Sequence, residues 1–172
     1  MASGDSLLIF SPMSSSGPAT LAAQLDTLAG ASTPAESVPM LAFDSTTAEY
    51  ADFYGIMPQH YAGGGVTLTA AISAGTATGG VNIRAAFRRI VSDAEDLDTT
   101  AHTYDYNNLD VTSLPSAVGE VIYSSITFTD GADMDSLVAG EAFILRFGRD
   151  IADAQDDAAA DLRLHGLHLK ET

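Results

Sequence analysis

Four histidines, six arginines and 23 carboxylates carry whatever chemistry this chain has, and cysteine is absent. Without cysteine there is no disulfide, no thiolate metal site and no thiol nucleophile. The histidines are scattered. His60 lies in a Pro-Gln-His-Tyr turn ahead of Gly63, Gly64 and Gly65, and His102 follows a run of acids. His165 and His168 are three apart on a strand-like segment, so they face opposite ways unless an extra residue re-phases them. No HExxH, His-x-His or GxSxG pattern occurs. The glycine run at 63–65 lacks the lysine and the strand-to-helix setting of a phosphate loop. A glycosidase needs two carboxylates roughly 5–10 Å apart. Among so many acids such a pair arises by chance, and a chain without tryptophan has little to line a sugar cleft. The expectation is a protein that is not an enzyme.

Calcium is the chemistry these acids fit best. Asp93, Glu95, Asp96 and Asp98 fall within one short loop. Further clusters lie at Asp130, Asp133 and Asp135, and at Asp150, Asp153, Asp156 and Asp157. Ca²⁺ takes about six to eight oxygens, often from such loops. None of the three follows the EF-hand pattern with its central glycine. The 93–98 set is the candidate Ca²⁺ site, against the alternative that these aspartates simply cap turns in water. No other cofactor is expected.

Seven basic residues face 23 acidic ones, a formal net charge of −16 and a pI near 4.1. Only Lys170 is a lysine, and 17 of the acids are aspartate. Such a surface repels phosphate backbones and anionic bilayers, which argues against nucleic-acid and membrane partners. Its acidity suits solubility. It also suits a salty, halophilic habitat, where self-repulsion is screened within about 3 Å at 1 M salt. The apolar run at 7–10 is too short for a signal-peptide core, and no basic residue precedes it.

The elements that must position these groups read as strands. A chain of 172 residues can bury about 70% of its unfolded surface in a single core. Residues 65–73 alternate, with Val66, Leu68, Ala70 and Ile72 on one face. Val81, Ile83, Ala85 and Phe87 share a face of the next strand, which loses its alternation at Arg88-Arg89-Ile90. Segments 38–44 and 50–57 read as two more, and 102–106 with 109–112 as one kinked edge strand. Three strands follow at 119–128, 141–149 and 161–170. Phe143, Leu145 and Phe147 mark the core face of the second. In the third, Leu162 and Leu164 are out of phase with Leu167 and Leu169, and Gly166 between them is the natural place for a bulge. About eight strands with long, uneven connections predict an all-β jelly-roll or Greek-key sandwich.

Residues 1–36 differ in composition and read as an N-terminal arm ahead of a sandwich domain at 37–172. Leu21, Leu25 and Leu28 have the spacing of one helical stripe, with Pro18 at its start and Gly30 at its stop. Leu7, Leu8, Ile9 and Phe10 form a short strand before it. These seven apolar residues are the candidate interface. The arm folds either onto its own domain or onto a partner subunit. The arginines pair with carboxylates, within the subunit or across a contact.

Segments 39–44 (PMLAFD), 54–72 (YGIMPQHYAGGGVTLTAAI), 127–150 (TFTDGADMDSLVAGEAFILRFGRD) and 161–171 (DLRLHGLHLKE) together resemble a family of small phage and prophage virion proteins with one jelly-roll-like domain. The resemblance implies a structural viral protein of the virion, assembled in the host cytoplasm. It points to a capsid decoration or cement protein, a homo-oligomer (a homotrimer by the symmetry of decoration sites) bound to the major capsid protein or to other virion proteins. The other reading is a tail-tip or fibre-associated module that recognises a host glycan, for which Tyr50, Phe53, Tyr54 and Tyr61 are the aromatic candidates. If the 93–98 loop holds Ca²⁺, a chelator will lower the melting temperature of the purified protein; an unchanged melting curve removes the site.

Overall fold

A computed structural model describes residues 4–172. Its strands are β1 (Ser6–Phe10), β2 (Ser15–Ser16), β3 (Gln24–Ala29), β4 (Ser37–Phe43), β5 (Tyr50–Ile56) and β6 (Val66–Ala74). They continue as β7 (Val81–Ile90), β8 (Asn107–Val111), β9 (Ile122–Phe128), β10 (Ala142–Arg149) and β11 (Leu162–Glu171). One sheet runs β3-β4-β11-β6-β9, with β1 on the free edge of β11; the other runs β2-β5-β10-β7-β8. We call them sheet A and sheet B. Every strand pairing is antiparallel. From β4 onward the chain passes back and forth between the sheets, which is jelly-roll wiring. The expected all-β jelly-roll sandwich is the observed architecture.

Alternation along the strands builds the core. Leu68, Ala70 and Ile72 of sheet A face Ile83, Ala85, Phe87, Phe143, Leu145 and Phe147 of sheet B, all buried. Aromatic rings tie the layers together: Phe87 and Phe128 meet edge to face at 5.0 Å, and Phe43 and Phe147 at 5.6 Å. The phase change in β11 is a bulge. Leu164 pairs with Ile72 and Gly166 with Ala71, so one residue is left over and the leucines on both sides stay inside. The bulge also puts His165 and His168 on the same outer face, bonded to Ser73 and Ser6.

Two expectations need correction. The helix expected between Pro18 and Gly30 does not form: Gln24–Ala29 is a strand, paired along six residues with β4. A three-turn helix is marginal alone. The free edge of β4 offers unpaired backbone groups that an extended partner satisfies at once. Leu21 and Leu25 are left exposed rather than striped against a neighbour. The other correction concerns 102–106, which is an irregular segment, with the edge strand starting only at Asn107.

Residues 4–36 pack on their own domain. β1 pairs with β11, and Leu7 and Phe10 join the core, Phe10 against Phe53 at 5.5 Å. Leu8 is partly buried against the same core, Leu28 is half-buried, and Ile9 points outward.

At the far end of β10, Arg149 is wholly out of water. Its guanidinium donates to both oxygens of Asp156 and to the carbonyls of Ala158 and Ala160. Removing one partner of such a pair strands a charge in the interior, at about 3–5 kcal/mol. Asp156→Ala is therefore expected to lower stability by about that amount, measured as a fall in the urea midpoint; Asp105→Ala, at an exposed position, should leave the midpoint nearly unchanged.

Candidate binding face

Sheet B turns its second face outward, and strand register sorts the side chains there into rows. Tyr50, Gly148 and Arg84 form one row, and Asp52, Arg146 and Ala86 the next. Tyr54, Ile144 and Arg88 form the third, and Ile56, Ala142 and Ile90 the fourth. Glycine at 148 is required by its neighbour: a Cβ there would stand 2.7 Å from the Tyr50 ring, which lies across the strand.

The loop 91–106 folds over the β7 side of this face. Glu95 accepts from Arg88 Nε at 2.8 Å, anchoring the loop at its near end. Farther along, Tyr104 stacks 4.0 Å from the Arg146 guanidinium and Tyr106 lies 4.9 Å from that of Arg84. His102 packs edge-on against Tyr104 and comes within 3.9 Å of Asp135. Ala86, small and beneath the loop, leaves room for these rings. Arg146 also makes a two-pronged bond to Asp52, both contacts at 2.7 Å. Arg84 bonds Asp150 at 2.8 Å and the Tyr50 hydroxyl.

The loop leaves the β5 side open. Tyr54 is 60% exposed and Ile56 56% exposed, beside the half-buried Ile144. The result is an aromatic and aliphatic platform bordered by a fixed carboxylate–guanidinium pair and a wall of stacked tyrosines. Burial pushes the phenols of Tyr104 and Tyr106 above their ordinary value, so both remain hydroxyl donors at neutral pH. An apolar platform with a few convergent polar groups is the usual make-up of a small-ligand site.

The residues singled out from sequence are divided by this geometry. Of the four aromatic candidates, Tyr54 and Tyr50 lie on the outer face, while Phe53 and Tyr61 are buried. Tyr61 bonds Asp130 at the far loops, and burial pushes its hydroxyl up to about 12. Tyr104 and Tyr106 were missed, although the His102, Tyr104, Tyr106 alternation was a legible one-sided pattern. In the 93–98 loop, Asp93, Asp96 and Asp98 are exposed while Glu95 is turned to Arg88. Among the described residues no group of three or more such side chains is arranged to hold a metal ion.

No protein-family model matches the chain, and no curated protein matches it. Solved structures do. The CBM22-1 xylan-binding domain of Paenibacillus barcinonensis Xyn10C is similar at a TM-score of 0.52 and 10% identity, over 99% of this chain and 97% of that one. The CBM22-1–GH10 modules of the Clostridium thermocellum endo-1,4-β-D-xylanase 10B, solved with xylohexaose, are similar at a TM-score of 0.53 and 9% identity. That match spans 98% of this chain but 29% of the xylanase chain. At such identity the likeness is one of fold: this chain has the jelly-roll sandwich of carbohydrate-binding modules.

Bonding to Arg88 holds the Glu95 carboxyl below the ordinary glutamate value. A lowered folded value contributes stability that is complete above the unfolded value and lost as pH falls through the folded one. The loop should therefore stay docked at neutral pH and loosen only in acid, below the ordinary glutamate range. Hydrogen exchange along 91–106 should rise between pH 7 and pH 3.5, after correction for intrinsic rates. Glu95→Gln should raise it already at pH 7.

Proposed function

We propose that this protein is a non-catalytic carbohydrate-binding module that takes a glycan on the open side of the outer face of sheet B. Tyr54 is the observation that carries the reading. Tyr54 is 60% exposed at the β5 edge of the outer face, and its ring offers a flat apolar surface to one side of a pyranose. Asp52 and Arg146, one row away, supply an acceptor and donors for sugar hydroxyls in a fixed geometry. The shared fold with xylan-binding domains supports the same reading.

The face supports binding rather than hydrolysis. A glycosidase acid must keep its proton until it meets the leaving group. Here the three carboxylates nearest the platform's arginines are each engaged: Asp52 by Arg146, Glu95 by Arg88 and Asp150 by Arg84. Set on the phage-like particle that the sequence resemblance implies, such a module would serve at a tail tip or fibre and take a host-surface glycan. Docking as a capsid cement would call on the N-terminal apolar run, and two of its members, Leu7 and Phe10, are already spent in the domain's own core.

Affinity electrophoresis and calorimetry against a panel of soluble neutral polysaccharides test the proposal. At least one should bind, and Tyr54→Ala should weaken it tenfold or more, about 1.4 kcal/mol, with an unchanged circular dichroism spectrum. Absence of binding across the panel, or wild-type binding by the variant, would reject it.

A further inference from the structure

The opposite side of the sandwich has a different chemistry. On the outer faces of β1, β6, β9 and β11 the side chains are hydroxyl, aliphatic, aromatic or basic, and none is a carboxylate. Glu171, at the end of β11, is turned inward and buried. In a chain with 23 acids and a net charge of −16, an acid-free surface four strands wide is a segregated one.

The cations confirm the segregation. Five of the six arginines are paired with carboxylates of their own chain. Among the described residues, Arg163 and Lys170 are the arginine and lysine with no carboxylate within 4.0 Å. Both project from the outer side of β11, opposite Ser73 and Thr67. With one residue lost to the bulge, they stand roughly 20 Å apart along the strand, at about 3.3 Å per residue.

Between them lies a groove of about 230 Å³. Ile9 and Tyr123 wall it, each 76% exposed; Ala71 and Gly166 floor it; Thr69 and His168 add polar edges. The floor is open because residue 166 has no side chain and residue 71 has only a methyl group. Small-ligand sites of drug size run about 300–1,000 Å³, so this one suits a single ring.

We infer that the groove is a second saccharide site, for an acidic glycan chain: one sugar seats on Tyr123 and acid groups on the flanking sugars meet Arg163 and Lys170. The polar edge suits hydroxyls and the walls suit a ring face. The two cations lie on either side of the ring, along the line a chain would follow. Elsewhere the protein's charge turns such a ligand away; screening at physiological salt, about 8 Å, confines that repulsion to the other surfaces. This site is independent of Tyr54, since it lies on the other sheet and selects for charge.

The full-length protein, labelled with ¹⁵N, is titrated with an oligogalacturonate, a heparin-derived hexasaccharide and a neutral galacto-oligosaccharide. At least one acidic ligand should shift resonances of residues 9, 69, 71, 123 and 166–170, and the neutral one should bind there at least tenfold more weakly. Tyr123→Ala and the pair Arg163→Gln/Lys170→Gln should each cost fivefold or more, while Tyr54→Ala leaves this binding unchanged. Equal binding of the neutral ligand, shifts confined to the Tyr54 side, or no binding of either acid would overturn the inference. So would sedimentation showing a wild-type dimer that Tyr123→Ala dissolves, because the face would then be a self-interface. Absence of neutral-glycan binding that depends on Tyr54 rejects the first site alone; absence of acidic-glycan binding that depends on Tyr123 rejects this one alone.

Discussion

The Arg149–Asp156 pair is the interaction on which the rest of the sandwich leans. β10 ends inside the protein, and the next strand of the chain, β11, belongs to the other sheet. The connection between them, residues 150–161, is long and acidic, with no hydrophobic side chain large enough to pin it except near its ends. A guanidinium provides the pin instead. It collects Asp156 and two carbonyls, and Asp156 in turn accepts the amide of Asn82 at the start of β7. Asp157 accepts the amide of Gly80 beside it. One buried cation thus fixes where β11 begins. Because β11 is the strand that β4, β6 and β1 all pair with, its starting point sets the register of sheet A. A buried charge is costly unless its partners saturate it, and the five contacts to this one do so.

The same logic explains how so acidic a chain stays folded. Its arginines are not spread over the surface as solubilising charges. Four of them project from one sheet or its rim and each takes a carboxylate, at Asp52, Glu95, Glu141 and Asp150. Those pairs neutralise part of the charge where strands are closest, and they leave the surplus acid in turns, where water and salt screen it. Stacking of Tyr104 and Tyr106 on Arg146 and Arg84 adds cation–π attraction to the same groups. These contacts tie the loop to the outer face of sheet B over β10 and β7 and leave its β5 side uncovered.

Most of the fold was legible because period-two alternation is a strong signal when one face is buried. Val66 to Ile72, Val81 to Phe87 and Phe143 to Phe147 announced their strands and their inward faces. The bulge at Gly166 could be read from the leucines that fall out of phase around it. β3 could not be read, because its leucines happen to have helical spacing and its strand state is imposed by the edge of β4, a tertiary cause. The site was less legible than the fold. Tyr50, Phe53, Tyr54 and Tyr61 are neighbours in sequence, yet strand alternation sends Phe53 inward and a turn buries Tyr61. The acids at 93–98 suggested a cation site, but one of them serves an arginine from a strand that the loop's own sequence does not mention.

The leftover residue in β11 has a consequence for how the molecule can vary. It splits one strand into two lengths that answer to different partners, β4 on one side of Gly166 and β1 on the other. Each length keeps its own leucines inward, so the outward residues after the bulge are not tied to those before it. A change in what residues 167–170 display need not propagate into the Arg163 end. The strand behaves as a splice between two independently adjustable surfaces, held to one core.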